Sequence, residues 1–397
     1  MLERVTFKNC AGPGPLVDIG AVAEALLFYG EVAVVCNTAT LKHLLANIPP
    51  LILLGLIRSK RLLLYYLDDQ IGVVTNNSSG NDPVHDLIEF SSPDHTIDVV
   101  GPKTFLEASR SANKLVVRQF TRALLPLSHE GFNKNAAFAA LADFAISEPV
   151  LRSLFEVASP HYVLPTDFRF RLEKVTNGFV VDTNIDFVAL NTEYHKYVPA
   201  THSSMTPAYL LALLQGVYEE LYFASVLQSE LAFSGSNRAM HVRTVNSLIH
   251  NRFANEAAIG RFVDLTLDSS FAIRSAVNTG AVPFADIVRL LDRADKFRDW
   301  LRDKPADVDL VKAYYAETVS GTWVEKLPTK TTRWGMFTGA GLVVDSLGAG
   351  GLGTAVGVAL GAFDTFVLDK LIGGWKPHHF VEKDLKATFV TRESNEK

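Results

Sequence analysis

The chain has 397 residues, 48% hydrophobic and 20% charged, with a formal net charge of −5 and an isoelectric point near 6.1. That balance excludes a disordered chain, and it excludes a general nucleic-acid surface, which would need clustered Lys and Arg. Two cysteines, Cys10 and Cys36, make neither a disulfide framework nor a Cys/His metal site, so reduced thiols, no metal and no cofactor are expected.

The N-terminal stretch MLERVTFKNCAGPGP has no apolar core of a secretory signal, and a cytoplasmic protein, with or without membrane association, is expected. Residues 16–75 read as a small α/β unit. Asp18 caps a helix whose apolar positions Val22, Ala25, Leu26 and Tyr29 follow the helical repeat, and Gly30 ends it. Glu31 to Cys36 then reads as a buried strand. Leu44 to Ile57 is uncharged, but Pro49 and Pro50 divide it into two short core helices. Arg58, Lys60 and Arg61 lead into the strand LLLYYL, which turns at Asp68 and Asp69 into IGVVT.

The tract NNSSGN at 76–81 is a loop and a candidate linker. Beyond it, Lys103 to Leu125 and Asn133 to Val157 read as helices punctuated by Pro126 and Pro149. The period changes between Asp167 and Phe187, where FRFRLEKV and FVVDTNIDF alternate on either side of Asn177-Gly178. That dipeptide between alternating runs predicts a β-hairpin. Thr206 as cap and Pro207 at the first position open a long helix with Leu210, Leu214, Val217, Leu221 and Ala224 on one stripe, ending at Gly235. Further helices are expected around 238–253, 256–277 and 283–302, the last lined by Ile287, Leu291, Ala294, Phe297 and Leu301.

Candidate constellations are few. Gly348, Gly350 and Gly353 satisfy G-x-G-x-x-G, but Asp345 and Ser346 interrupt the approach and too little chain follows for the remaining strands of a dinucleotide fold. No P-loop, HExxH or GxSxG is present. His378 and His379, adjacent on an extended segment, point to opposite sides. His241 and His250 face nearly opposite directions on a helix. Asp182 and Asp186 on one strand face would stand about 13 Å apart, too far to share an ion. Arg238, Arg243 and Arg252 fit a solvated helix face. None of these names a catalytic residue.

The most distinctive stretch lies between Gly335 and Ala362, with nine glycines and one charged side chain, Asp345. Ala349, Gly353, Gly357 and Gly361 fall four apart, a smooth helical stripe that lets another backbone approach closely. Excluding Asp345 and Asp364 leaves eighteen residues, about 27 Å of helix against a bilayer core of about 30 Å. The six Leu, Val and Phe side chains in it contribute about −2 to −4 kcal/mol to insertion, which one Asp at about +3 kcal/mol cancels.

The expected fold class is α+β with helix predominating. It comprises a small α/β unit (1–80), a mainly helical body with a β-hairpin at 167–187 (81–330), and a glycine-rich C-terminal helical hairpin and tail (331–397). The first functional expectation is a non-catalytic intracellular interaction or regulatory protein, whose C-terminal stripe contacts a protein partner or a second copy. The alternatives are an effector that enters a membrane conditionally through 335–374, and an enzyme whose site leaves no linear motif.

Overall fold

The computed structural model describes residues 3–8, 17–76, 83–199, 201, 203–232, 273–302 and 379–389. The chain divides into two compact units, a larger one of Glu3–Val22 and Tyr29–His250 and a smaller one of Met1–Leu2, Ala23–Phe28 and Asn251–Lys397. It is an α+β protein. In chain order the first elements are β1 (Arg4–Lys8), α1 (Ile19–Phe28), β2 (Glu31–Cys36), α2 (Thr38–Asn47), α3 (Pro50–Arg58), β3 (Leu62–Leu67), β4 (Asp69–Asn76) and β5 (Val84–Ser91). There follow α4 (Ile97–Ala108), α5 (Lys114–Ala123), β6 (Leu125–Leu127), α6 (Lys134–Ala142), α7 (Phe144–Ala158), β7 (Phe170–Val175), β8 (Gly178–Thr183), α8 (Phe187–Tyr194), α9 (Pro207–Val226) and β9 (Glu230–Ala232).

The larger unit is built on two sheets. The first is parallel, with strand order β6-β3-β2-β1-β9, so the strands that complete it come from far beyond residue 80. Val32 to Cys36 are all buried, because a parallel strand is covered on both faces and needs an uninterrupted apolar run. Ala33, Val35 and Leu67 meet Phe223 of α9 and Leu227 just after it. The expected caps hold: Asp18 accepts from the Ala21 amide at 2.9 Å, and α2 and α3 separate at the two prolines with a bend of 110°. Leu41, Leu44, Leu45, Leu53, Leu54, Leu56 and Ile57 of this pair are buried, which accounts for the lack of charge. Among the described residues no single helix is long and apolar enough to cross a membrane.

The second sheet is antiparallel, in the order β4-β5-β8-β7, and packs against α6, α7 and α9. Here several expectations are corrected. LLLYYL and IGVVT are both strands, as expected, but they do not pair with each other: β3 stays in the parallel sheet while β4 opens the other. LLLYYL is apolar on both faces and needs a doubly covered position, whereas β4 buries chiefly Ile71. The hairpin exists, but as half of this four-stranded sheet, and its two-residue loop is Thr176-Asn177. Gly178 is already paired on β8 with φ +139°, and a Cβ there would stand 2.1 Å from the His85 carbonyl oxygen of β5. Close strand approach, not turn geometry alone, requires the glycine.

Helix boundaries shift for identifiable reasons. Lys103 to Leu125 is not one helix: Asn113 accepts from the Val116 amide at 2.9 Å and starts α5, and Pro102 lies inside α4. Leu125 begins β6, with Pro126 central in a strand that ends the sheet among the described residues, the position where proline is tolerated. Asp143, capping α7 through the Ala145 amide at 3.1 Å, divides 133–157, and Pro149 sits within α7 without ending it. Thr206 caps α9 as expected, accepting from Tyr209 at 3.1 Å. The helix stops at Val226, before Gly235, because Gln228 takes a left-handed φ of 47° and the Ser229 amide returns to the Ala224 carbonyl.

In the smaller unit, α10 (Ile273–Asn278) and α11 (Phe284–Arg302) accompany a π turn at His379–Leu385 that runs into α12 (Lys386–Phe389). The predicted stripe of α11 is buried throughout: Ile287, Leu291, Ala294, Phe297 and Leu301. Phe297 meets Phe28 at 6.2 Å and Phe380 at 5.0 Å between ring centroids, and Arg293 pairs with Asp384 at 2.5 Å.

Candidate functional site

Ligands of open parallel sheets bind beyond the carboxyl ends of the strands. At that edge the larger unit gathers four ionisable side chains. Lys8 is the last residue of β1, Asp69 follows β3, His129 follows β6, and Glu219 projects from the middle of α9. His129 is 3% exposed. Its Nδ1 lies 3.1 Å from Asp69 Oδ1, and its backbone N–H donates to Asp69 Oδ2 at 3.1 Å. On the other side Nε2 forms a short hydrogen bond with Glu219 Oε1. The second oxygen of Glu219 receives Lys8 Nζ at 3.0 Å. Phe223, one turn further along α9, packs edge-on against the His129 ring at 5.0 Å and lies 6.0 Å from Lys8 Nζ.

The four groups therefore alternate in sign, Asp69, His129, Glu219, Lys8, and their charges cancel. Burial alone would lower the pKa of His129. The hydrogen bond and charge of Glu219, then those of Asp69, outweigh it, so the imidazole titrates above its ordinary value of 6.5. Burial alone would raise Glu219. The Lys8 charge and the His129 hydrogen bond and charge outweigh that, and the carboxyl titrates below its ordinary 4.5. Solvent reaches the chain at Asp69, whose side chain is 34% exposed against 10% for Glu219 and Lys8.

With a carboxylate at each ring nitrogen, protonated His129 donates twice and has no lone pair left for a substrate proton or a metal. The arrangement can hold β1, β3, β6 and α9 together, and it can take up or release a proton. On β3, the Tyr66 hydroxyl donates to the His95 carbonyl at 2.8 Å and meets the Thr38 hydroxyl at 2.9 Å. Cys36, at the end of β2, is buried, and burial pushes its thiol up to about 12, which removes it as a nucleophile.

The residues singled out from the sequence are placed elsewhere. Asp182 pairs with Arg169 at 3.5 Å, whereas Asp186 is off the strand and caps α8, accepting from Val188 and Ala189 at 3.0 Å each. The strand ends at Thr183, so the two do not share a face. His379 opens the π turn. Ala349, Gly353, Gly357 and Gly361 lie outside the described residues, as do Gly348, Gly350, His241, His250, His378, Arg238, Arg243 and Arg252. The network itself joins residues 60 and 90 positions apart, a spacing that leaves no motif. One signal was available: α9 carries Gln215, Glu219 and Glu220, all buried, on a largely apolar helix. Gln215 is also engaged, donating to the Ile71 carbonyl of β4 at 2.8 Å. Comparisons of the chain with protein-family models, with curated proteins and with solved structures find no match.

Proposed function

We propose that this is a non-catalytic interaction or regulatory protein, in which the two-sheet unit is a fixed body and the small-residue stripe Ala349, Gly353, Gly357 and Gly361 is the contact element. The observation that carries this reading is the pairing of His129 at both ring nitrogens, by Asp69 and Glu219, with Lys8 on the second Glu219 oxygen. The groups that would ordinarily do acid–base work are spent on one another. The stripe supports a tightly packing C-terminal helix that meets a protein partner or a second copy. The test is the oligomeric state of the full-length chain by light scattering, together with its partition between soluble and membrane fractions, for wild type and Gly357→Leu. The reading expects the variant to change association or partition, and identical behaviour would overturn it.

A second reading, conditional entry of 335–374 into a bilayer, draws on the near-zero insertion balance of 346–363 worked out above. It is distinguished by recovery in the membrane fraction that appears only under a trigger and that persists or increases with Gly357→Leu, because leucine favours insertion.

A further inference from the structure

The α4–α5 pair lies apart from the His129 network and presents a different chemistry. The two helices approach closely: a Cβ at Gly101 would meet Thr121 Oγ1 at 3.0 Å, and the Phe105 and Phe120 ring centroids are 4.6 Å apart. Above that contact they enclose an open groove of about 440 Å³, within the size range of small-molecule sites. Pro102 and Leu106 of α4, with Val117 of α5, give it an apolar floor. Lys114, Arg118 and Arg122 rise along one wall, one helical turn apart, about 6 Å per step. Asp98 stands on the opposite wall.

Several cations elsewhere in this unit are paired: Arg4 with Glu31, Lys42 with Glu107, Lys134 with Asp86, and Arg152 with Glu148. Among the described residues Lys114, Arg118 and Arg122 have no carboxylate partner, although the chain as a whole carries an excess of acidic groups. Three exposed cations in a row along an apolar groove, with one acceptor among its lining, suit a ligand of one kind. It carries a phosphate for the α5 wall, an apolar or aromatic body for the floor, and a hydroxyl or amino group for Asp98. Arginine guanidinium groups suit the phosphate because they bind its oxygens in pairs.

We infer that the α4–α5 groove is a binding site for an organic phosphate, a phosphate ester on an apolar body. This inference does not depend on the function proposed above. The source of the phosphate is either a soluble nucleotide or a phospholipid headgroup, and the experiment separates them. Isothermal titration of the full-length chain is done with ATP, with dihexanoyl phosphatidic acid below its micelle concentration, and with sodium pyrophosphate.

Saturable binding of either organic phosphate at one site per chain is expected. Arg118→Glu should weaken it by about tenfold or more, the scale of one lost charge-assisted hydrogen bond. Arg171→Glu, an equal charge change on exposed β7, should leave it unaltered. Arg118 is exposed, so the variant should melt as wild type, and Arg122→Gln serves as a second probe with a smaller loss. Absence of binding by both organic phosphates would overturn the inference. So would equal weakening by Arg171→Glu, or pyrophosphate binding as tightly as the organic ligands, since the apolar floor would then contribute nothing.

Discussion

Glu219→Gln isolates the electrostatics of the buried network. The substitution keeps the shape of the side chain but removes the charge that faces both His129 Nε2 and Lys8 Nζ. His129 and Lys8 then each lose their Glu219 partner, in a site where Glu219 and Lys8 are each 10% exposed and screening by water is weak. Removing one partner of a buried ion pair costs about 3–5 kcal/mol, and release of the His129 proton relieves part of it, so a loss of about 3 kcal/mol is expected. For a unit of this size that lowers the melting temperature by roughly 6–12 °C.

The pH dependence supplies a second reading of the same variant. In the wild type, His129 has its pKa raised by folding. Its share of the stability is therefore complete below its ordinary 6.5 and is lost as pH rises through the raised value. Glu219 has its pKa lowered, so its share is complete above 4.5 and is lost as pH falls through the lowered value. Both shares are complete together between 4.5 and 6.5. Urea unfolding followed by circular dichroism from pH 4 to 9 should show the decline above 6.5 in wild type and a shallower one in Glu219→Gln, because its imidazole has lost its main partner. A cost under about 1 kcal/mol, the range of an exposed pair, or an unchanged alkaline decline, would refute the reasoning.

Three further outcomes are expected. Gln228→Gly relieves a left-handed φ of 47° at the end of α9 and should raise stability by about 0.5–1 kcal/mol in urea unfolding, an increase that would be missing if the Gln side chain were itself a needed contact. Gly178→Ala sets a Cβ against the His85 carbonyl at a φ of +139° and should cost at least about 2 kcal/mol, with faster amide exchange at Phe179 as the local signature. Gly357→Leu sets overpacking of about 1–3 kcal/mol against up to about 1 kcal/mol of helix propensity gained, so a packed stripe predicts a lower melting temperature or lost association. An unchanged or stabilised variant with association intact would place those glycines against solvent.

What the sequence made legible was whatever local chemistry decides. Asp18, Asn177-Gly178, Thr206-Pro207 and the stripe of α11 each predict their element because the cap, turn or face is encoded within a few residues. The errors arose where tertiary context decides. Nothing between Leu67 and Asp69 announces that the chain leaves one sheet for another, and Pro149 is tolerated within α7 while Asp143, a routine acidic residue, makes the break. The His129 network was illegible for the same reason. Lys8, Asp69 and His129 are ordinary strand-end residues until a parallel sheet lines up their carboxyl ends, and only the polar positions of α9 hinted that something charged is buried there.

The short edge strand with a proline at its centre bears on how the protein behaves in a crowded solution. β6 offers a visiting chain three residues, roughly 10 Å of ladder, and at Pro126 no N–H to extend it. A parallel sheet of this apolar content, ended by a long strand with every donor intact, would be a template for pairing with other copies of itself. Among the described residues β6 ends the sheet, and its three-residue length and proline make it a poor seed for such growth. The cohesive surface of the protein can then lie elsewhere without competition from its own sheet. Pro126→Thr would restore the missing donor, and slow turbidity growth in concentrated samples is where the difference would be seen.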